Sequence, residues 1–280
     1  MTPRTVGPVQ LQVLEAGEGG RPLLLSHGFT GAKEDFGDWM DAFAAEGWWV
    51  VAPDLRGHGD SDQPAEEELY SLGTYATDLF TLADDLDWAR FSMVGHSMGG
   101  MVAQEMVLRS PDRIERLVLM DTHHGPVEGL DPDTVAVAVD VLRTQGLPAL
   151  LELIAMLPQA PKAPADLRVR AERPGYIEFG ESKVNRSAPA MYAAMGIELS
   201  SRVDRLAELS GLTMPVRVVV GAEDKGFIGA SRRMADAIPT ADLVVIPDAA
   251  HSPQFENPEA WWAAVEPFLA AREAAQQLVD

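Results

Sequence analysis

The chain has 280 residues, 46% of them hydrophobic, no cysteine, and a formal net charge of −21. That length can bury a large core in one domain or in a domain with an insertion, and without thiols there is no disulfide, thiolate nucleophile or cysteine-held metal centre. The acidic residues are spread rather than blocked, so the charge reads as a solvated surface that repels nucleic acid and anionic membranes. Met1-Thr2-Pro3-Arg4 leads into polar residues and no apolar run approaches membrane-span length, so a soluble, cytoplasmic protein is expected.

Taken in order, Val9-Gln10-Leu11-Gln12-Val13-Leu14 alternates apolar and polar positions, as a strand with one solvated face at a sheet edge does. Pro22-Leu23-Leu24-Leu25-Ser26 is a continuous apolar run, the mark of a strand covered on both faces, and His27-Gly28-Phe29-Thr30-Gly31 follows it. A helix is expected over 35–46 with Gly47 as its stop, then a buried strand over 48–52 and a loop from Pro53 to Ser61. Helix returns over 72–87, strand over 91–94, helix over 101–109, and strand over 117–120, ending at Asp121. Such alternation implies α/β architecture: a mostly parallel, three-layer sheet with right-handed crossovers and a ligand site beyond the carboxyl ends of the strands.

The alternation stops between about residues 124 and 212. Asp131-Pro132 starts a helix, 148–157 and 191–199 have helical composition, and 158–164 is a proline-rich turn. Val135, Val137, Val139 and Val141 alternate as a strand would, but the Asp-Pro-Asp start favours helix. Residues 125–212 therefore read as a helical cap inserted into a core made of 1–124 and 213–280. Strand resumes over 216–220, ending in Gly221-Ala222-Glu223-Asp224, with helix over 228–237 and a last strand over 243–246 that leads to His251. After Asn257-Pro258, Trp261, Trp262, Val265, Phe268 and Leu269 form the apolar stripe of a terminal helix.

The chemistry centres on Gly95-His96-Ser97-Met98-Gly99-Gly100, a Gly-x-Ser-x-Gly between a strand and a helix. Glycines permit the sharp turn that pushes the hydroxyl outward, and the amide of Met98 at the helix start can face an oxyanion. A serine hydroxyl needs a base to take its proton and an acid to orient the base. Asp224 and His251 follow successive strands at the edge where Ser97 emerges, in the order Ser…Asp…His. Asp121 is a second acidic candidate at the same edge.

With His27-Gly28-Phe29, Asp54-Leu55-Arg56-Gly57-His58-Gly59-Asp60-Ser61, the Ser97 turn, Gly221-Ala222-Glu223-Asp224 and His251 followed by Asn257-Pro258, the chain resembles an α/β-hydrolase carrying a cap. The resemblance implies Ser97 as nucleophile, His251 as general base and Asp224 rather than Asp121 as orienting acid, with oxyanion donors from the backbone N–H groups of Phe29 and Met98. Phe29 would also wall the pocket. Serine stands where haloalkane dehalogenases and epoxide hydrolases have aspartate, which disfavours their alkyl-enzyme chemistry. The implied function is hydrolysis of a carboxylic ester or similar small acyl substrate through an acyl-enzyme, without a cofactor. The alternatives are a carbon–carbon bond hydrolase of a vinylogous diketone, or a ligand-binding or signalling protein that keeps the fold.

Among the other histidines, His27 and His58 read as architectural, bonding nearby backbone, and His96 as an orienting or packing residue with a possible substrate contact. His123 and His124 are candidates for substrate contact because they follow a strand at the catalytic edge and open the cap; two adjacent histidines make a poor metal site without a third ligand. Gly57-His58-Gly59 lacks the third glycine of a dinucleotide loop, and the pairs Trp48-Trp49 and Trp261-Trp262 read as core. Met191 and Met195, four apart on a cap helix, suit either a pliable pocket wall or ordinary packing.

Overall fold

In the computed structural model, which describes residues 2–157 and 161–271, the apolar runs become strands. These are β1 (Thr2–Val6), β2 (Val9–Ala16), β3 (Arg21–Ser26), β4 (Trp48–Pro53), β5 (Phe91–His96), β6 (Ile114–Met120), β7 (Val216–Gly221) and β8 (Ala241–Ile246). They form one sheet in the order β1-β2-β4-β3-β5-β6-β7-β8, antiparallel at β1–β2 and β2–β4 and parallel from β4 to β8. β5 is buried along its whole length because helices cover both faces there, whereas β2 alternates buried Val9, Leu11 and Val13 with more exposed neighbours.

β2 is not the sheet edge that its alternation suggested. β1 pairs outside it through a hairpin turned at Gly7, whose φ of +56° suits glycine. Five residues with only Val6 buried leave β1 no pattern to read. The helix expected over 35–46 also differs: a 3-10 segment, Lys33–Trp39, precedes α1 (Met40–Ala45). Its entry is fixed by Lys33, fully buried, whose Nζ meets Asp54 at 2.6 Å, Asp60 at 2.8 Å and Glu34 at 2.9 Å. This cluster ties the loop after β3 to the loop after β4.

Helices α2 (Leu72–Asp85) and α3 (Met98–Arg109) complete the first crossovers. Between β6 and β7 lie α4 (Pro132–Gln145), α5 (Leu147–Met156), α6 (Pro164–Glu172), α7 (Tyr176–Asn185), α8 (Pro189–Ser201) and the short α9 (Leu206–Leu209). The valine alternation of residues 135–141 sits in α4, where Asp131 accepts the N–H of Thr134 as an N-cap; Val139 is buried while Val137 is 61% exposed. Part of the proline-rich turn, residues 158–160, lies outside the described residues, and Pro164 opens α6. The chain returns through α10 (Ile228–Ala237), α11 (Pro253–Glu256) and α12 (Pro258–Ala270). Trp261 is fully buried against Trp39 and Phe43, and Trp262 stacks on Trp39, so that pair is core. No helix among the described residues is long and apolar enough to cross a membrane.

Candidate active site

β5 passes into α3 at Ser97, which holds φ +54° and ψ −118°, a sparsely populated conformation for a residue with a Cβ. The turn closes because its glycines carry no side chain. A Cβ on Gly95 would lie 2.5 Å from the carbonyl oxygen of Gly99, and one on Gly99 would lie 2.3 Å from that of Ser26. Further hydrogen bonds pin the strained residue: Ser97 N–H donates to Met120 O at 2.9 Å, and the Thr122 hydroxyl donates to Ser97 O at 2.6 Å.

The loops after β7 and β8 bring two partners to this hydroxyl. His251 Nε2 stands 3.0 Å from Ser97 Oγ, and its Nδ1 stands 2.7 Å from Asp224 Oδ2. Asp224 is buried and His251 half-buried at the cavity wall, so the carboxylate is shielded while the imidazole faces the cleft. Glu223 turns away, accepting the N–H of Ala165 at the start of α6 at 2.8 Å.

Asp121 is fully buried beside Asp224, with Oδ1 accepting Gly221 N–H at 2.9 Å, while the His251 Nδ1 bonds Asp224 instead. Burial, together with the neighbouring Asp224, pushes the Asp121 carboxyl well above the ordinary range and favours its neutral form. One ligand atom from each of Asp121, Asp224 and His251 falls within 4.8 Å of the others. The 2.7 Å between Nδ1 and Oδ2 is a shared-proton distance, whereas two ligands about 2.0–2.2 Å from a tetrahedral ion would stand over ~3 Å apart. The cluster is built as a hydrogen-bonded chain.

The N–H groups of Phe29 and of Met98, the first residue of α3, have no acceptor among the described residues. Both residues line a cavity of about 390 Å³ that also holds Ser97, His251 and His96. The Phe29 loop is held from behind: His27 Nδ1 donates to Gly28 O at 2.8 Å while its Nε2 accepts Leu55 N–H at 3.0 Å, and His58 Nε2 lies 3.0 Å from Phe29 O. His96 lines the cavity, but its Nε2–H is committed to the carbonyl of His251 at 2.6 Å, which fixes the backbone of that residue.

His123 and His124 do not reach the cavity, contrary to the expectation of substrate contact. Both are buried beneath the cap entrance. His124 Nδ1 bonds Asp204 at 2.8 Å and its Nε2 accepts from Arg233 Nε at 3.0 Å, while His123 Nδ1 accepts Gly125 N–H at 3.1 Å. They clamp α9 and α10 to the start of the cap. The cavity is instead walled on that side by Val127, Glu128, Leu130, Lys183 and Leu199, which sequence patterns did not single out. Met191 and Met195 are fully buried and belong to packing rather than to this wall.

The buried histidines give the fold a dependence on acid. Burial pushes His27 down to about 4 and His58 and His96 to about 3, against an ordinary 6.5. The unfolded chain then binds protons that the folded state refuses. Their stabilisation is full above about pH 6.5 and is lost as the pH falls toward 4, at somewhat over ~1 kcal/mol per residue per pH unit. Asp78, Asp121, Glu198 and Glu256, raised by burial, run the other way and offset part of this. The melting temperature should fall by a few degrees, about 5 °C, between pH 7 and pH 5. A melting temperature that is level or higher at pH 5 would contradict the buried, neutral state of these rings.

A family model described as alpha/beta hydrolase fold matches residues 21–258. The chain belongs to that family. It is 30% identical over 272 residues to a 2-(acetamidomethylene)succinate hydrolase of Mesorhizobium japonicum, covering 95% of this chain and 94% of that one. The enol-lactonase from Burkholderia xenovorans LB400 superposes with a TM-score of 0.81 at 25% identity, covering 96% of this chain and all of that one (100%). A thermophilic esterase from Thermogutta terrifontis gives 0.79 at 26% identity over 96% of this chain and 98% of its own. An α/β-hydrolase with this fold and these hydrolytic relatives is itself a hydrolase enzyme.

Proposed function

We propose that this α/β-hydrolase is a serine hydrolase of carboxylic esters or similar acyl compounds, working through an acyl-enzyme. The observation that carries the reading is the continuous chain from Ser97 Oγ through His251 to Asp224, at 3.0 and 2.7 Å, opening beside two backbone N–H groups that have no acceptor among the described residues. Ser97 Oγ attacks the acyl carbon as its proton passes to His251 Nε2, and the carbonyl oxygen, gaining charge, meets the N–H groups of Phe29 and Met98. Collapse breaks the bond to the leaving oxygen, which takes the proton from Nε2. Water then enters, gives a proton to the same nitrogen and attacks the ester carbon of Ser97, releasing the acid and restoring the hydroxyl. Asp224 keeps the N–H of His251 on Nδ1, so that Nε2 is free to accept.

The relatives support acyl-transfer chemistry in kind, being named for an esterase, an enol-lactonase and a succinate-derivative hydrolase. The reading is tested by steady-state turnover of p-nitrophenyl acetate and butyrate. Saturable release of p-nitrophenol well above the rate in buffer is expected. Absence of turnover on these esters, with cleavage of a vinylogous 1,5-diketone instead, would replace the ester by a carbon–carbon bond as the target. Inertness toward both would favour a ligand-binding role.

A further inference from the structure

Resting on that reading, we propose that the cap holds a hydrocarbon acyl-chain site, so that the preferred substrates are esters of aliphatic acids longer than butyrate. A second cavity, of about 380 Å³, adjoins the catalytic one and shares Phe29, Thr30 and Leu130 with it. Beyond that neck it runs between α4, α5 and α8, walled by residues such as Val135, Leu142, Leu147 and Leu150. Among the described residues no charged side chain lines it, whereas Asp35, Glu128 and Lys183 line the catalytic cavity. In a chain with a formal charge of −21, a chamber of this size without a charge is selective toward hydrocarbon. It also explains α5: Leu151 and Ile154 are 37% and 42% exposed, and both border the chamber.

The direction of the chamber decides which half of the ester it takes. The leaving oxygen must collect its proton from His251 Nε2, so the leaving group lies along the His251, Ser252 and Phe227 wall. None of those three residues borders the apolar chamber, which opens instead past the loop that supplies the Phe29 amide. The acyl chain therefore enters the cap, and each methylene buried there is worth about fourfold in kcat/KM.

Gly196 of α8 offers a handle, because a Cβ there would meet only Val135 Cγ1 at 3.7 Å and any larger group would extend into the chamber. Glycine is a poor helix former, so Gly196→Phe fills space without weakening α8 by propensity. The experiment compares p-nitrophenyl esters from acetate to octanoate, which vary only the acyl chain, with acetate esters of ethanol to octanol, which vary only the alcohol. For the unaltered protein, kcat/KM should rise at least tenfold from acetate to octanoate and change little along the alcohol series. Gly196→Phe should lower the octanoate-to-acetate ratio at least tenfold, while Val137→Thr, on the exposed side of α4, should leave the ratio as it was. A flat or falling acyl series in protein whose turnover still needs Ser97, or a length preference confined to the alcohol, overturns the acyl-chain site alone. Turnover that does not need Ser97 overturns the catalytic reading as well.

Discussion

Replacing Ser97 with alanine is expected to lower kcat/KM toward a p-nitrophenyl ester by three or more orders of magnitude while leaving the fold intact. The size of the effect follows from the chemistry: without Oγ there is no acyl-enzyme, and His251 Nε2, now 3.0 Å from an absent partner, can at most assist water. The fold should survive because alanine keeps the Cβ that already sits at φ +54°, and because the bonds pinning the turn, Ser97 N–H to Met120 and Ser97 O to Thr122, are made by backbone atoms of the residue. The residual rate should reflect the N–H groups of Phe29 and Met98 and the cavity alone. Equal thermal melting of the two proteins, with activity within tenfold, would mean that another residue carries the reaction.

The second large effect separates two buried carboxyls at one edge of the sheet. Asp224→Asn should reduce kcat by about 10⁴, the magnitude expected when the acid that fixes the tautomer of a triad histidine is lost. The side-chain amide can turn its NH₂ toward Nδ1, at the 2.7 Å position now held by Oδ2, and draw the ring proton onto Nε2, where it blocks acceptance from Ser97. Asp121→Asn should cost less than tenfold. Its carboxyl is held neutral by burial and by Asp224, and it accepts Gly221 N–H through one oxygen that asparagine retains. Steady-state kinetics on both variants at one pH give the ranking, and the reverse order would transfer the orienting role to Asp121.

Much of this arrangement was legible in the sequence, for identifiable reasons. The Ser97 turn constrains its own neighbours so tightly, through the approach of Gly95 and Gly99 to backbone oxygens, that it leaves a local signature. Asp224 and His251 could be found because each closes a strand whose apolar run is continuous or nearly so, and strand ends share one edge in a parallel sheet. The histidines after β6 were misjudged for the complementary reason. Their positions near the edge are local, but what turns His124 inward is Asp204 and Arg233, 80 and 109 residues further along the chain.

In the cap, α7 has no buried residue and α6 only two, so neither carries the periodic stripe that would announce a helix. The apolar chamber was equally hidden. Leucines of α5 look like ordinary core in the sequence, and only their placement across from α4 and α8 leaves a space between them. The edge strand β1, short and mostly exposed, was missed on the same grounds of weak burial.

The most direct measurement is to treat the intact protein with a fluorophosphonate, digest it, and locate the adduct by mass spectrometry. A single phosphonylated site at Ser97, formed more slowly after Asp224→Asn and absent after Ser97→Ala, is the expected result. An adduct at any other serine, or rapid turnover of esters with Ser97 unmodified, would contradict the assignment of Ser97 as the nucleophile.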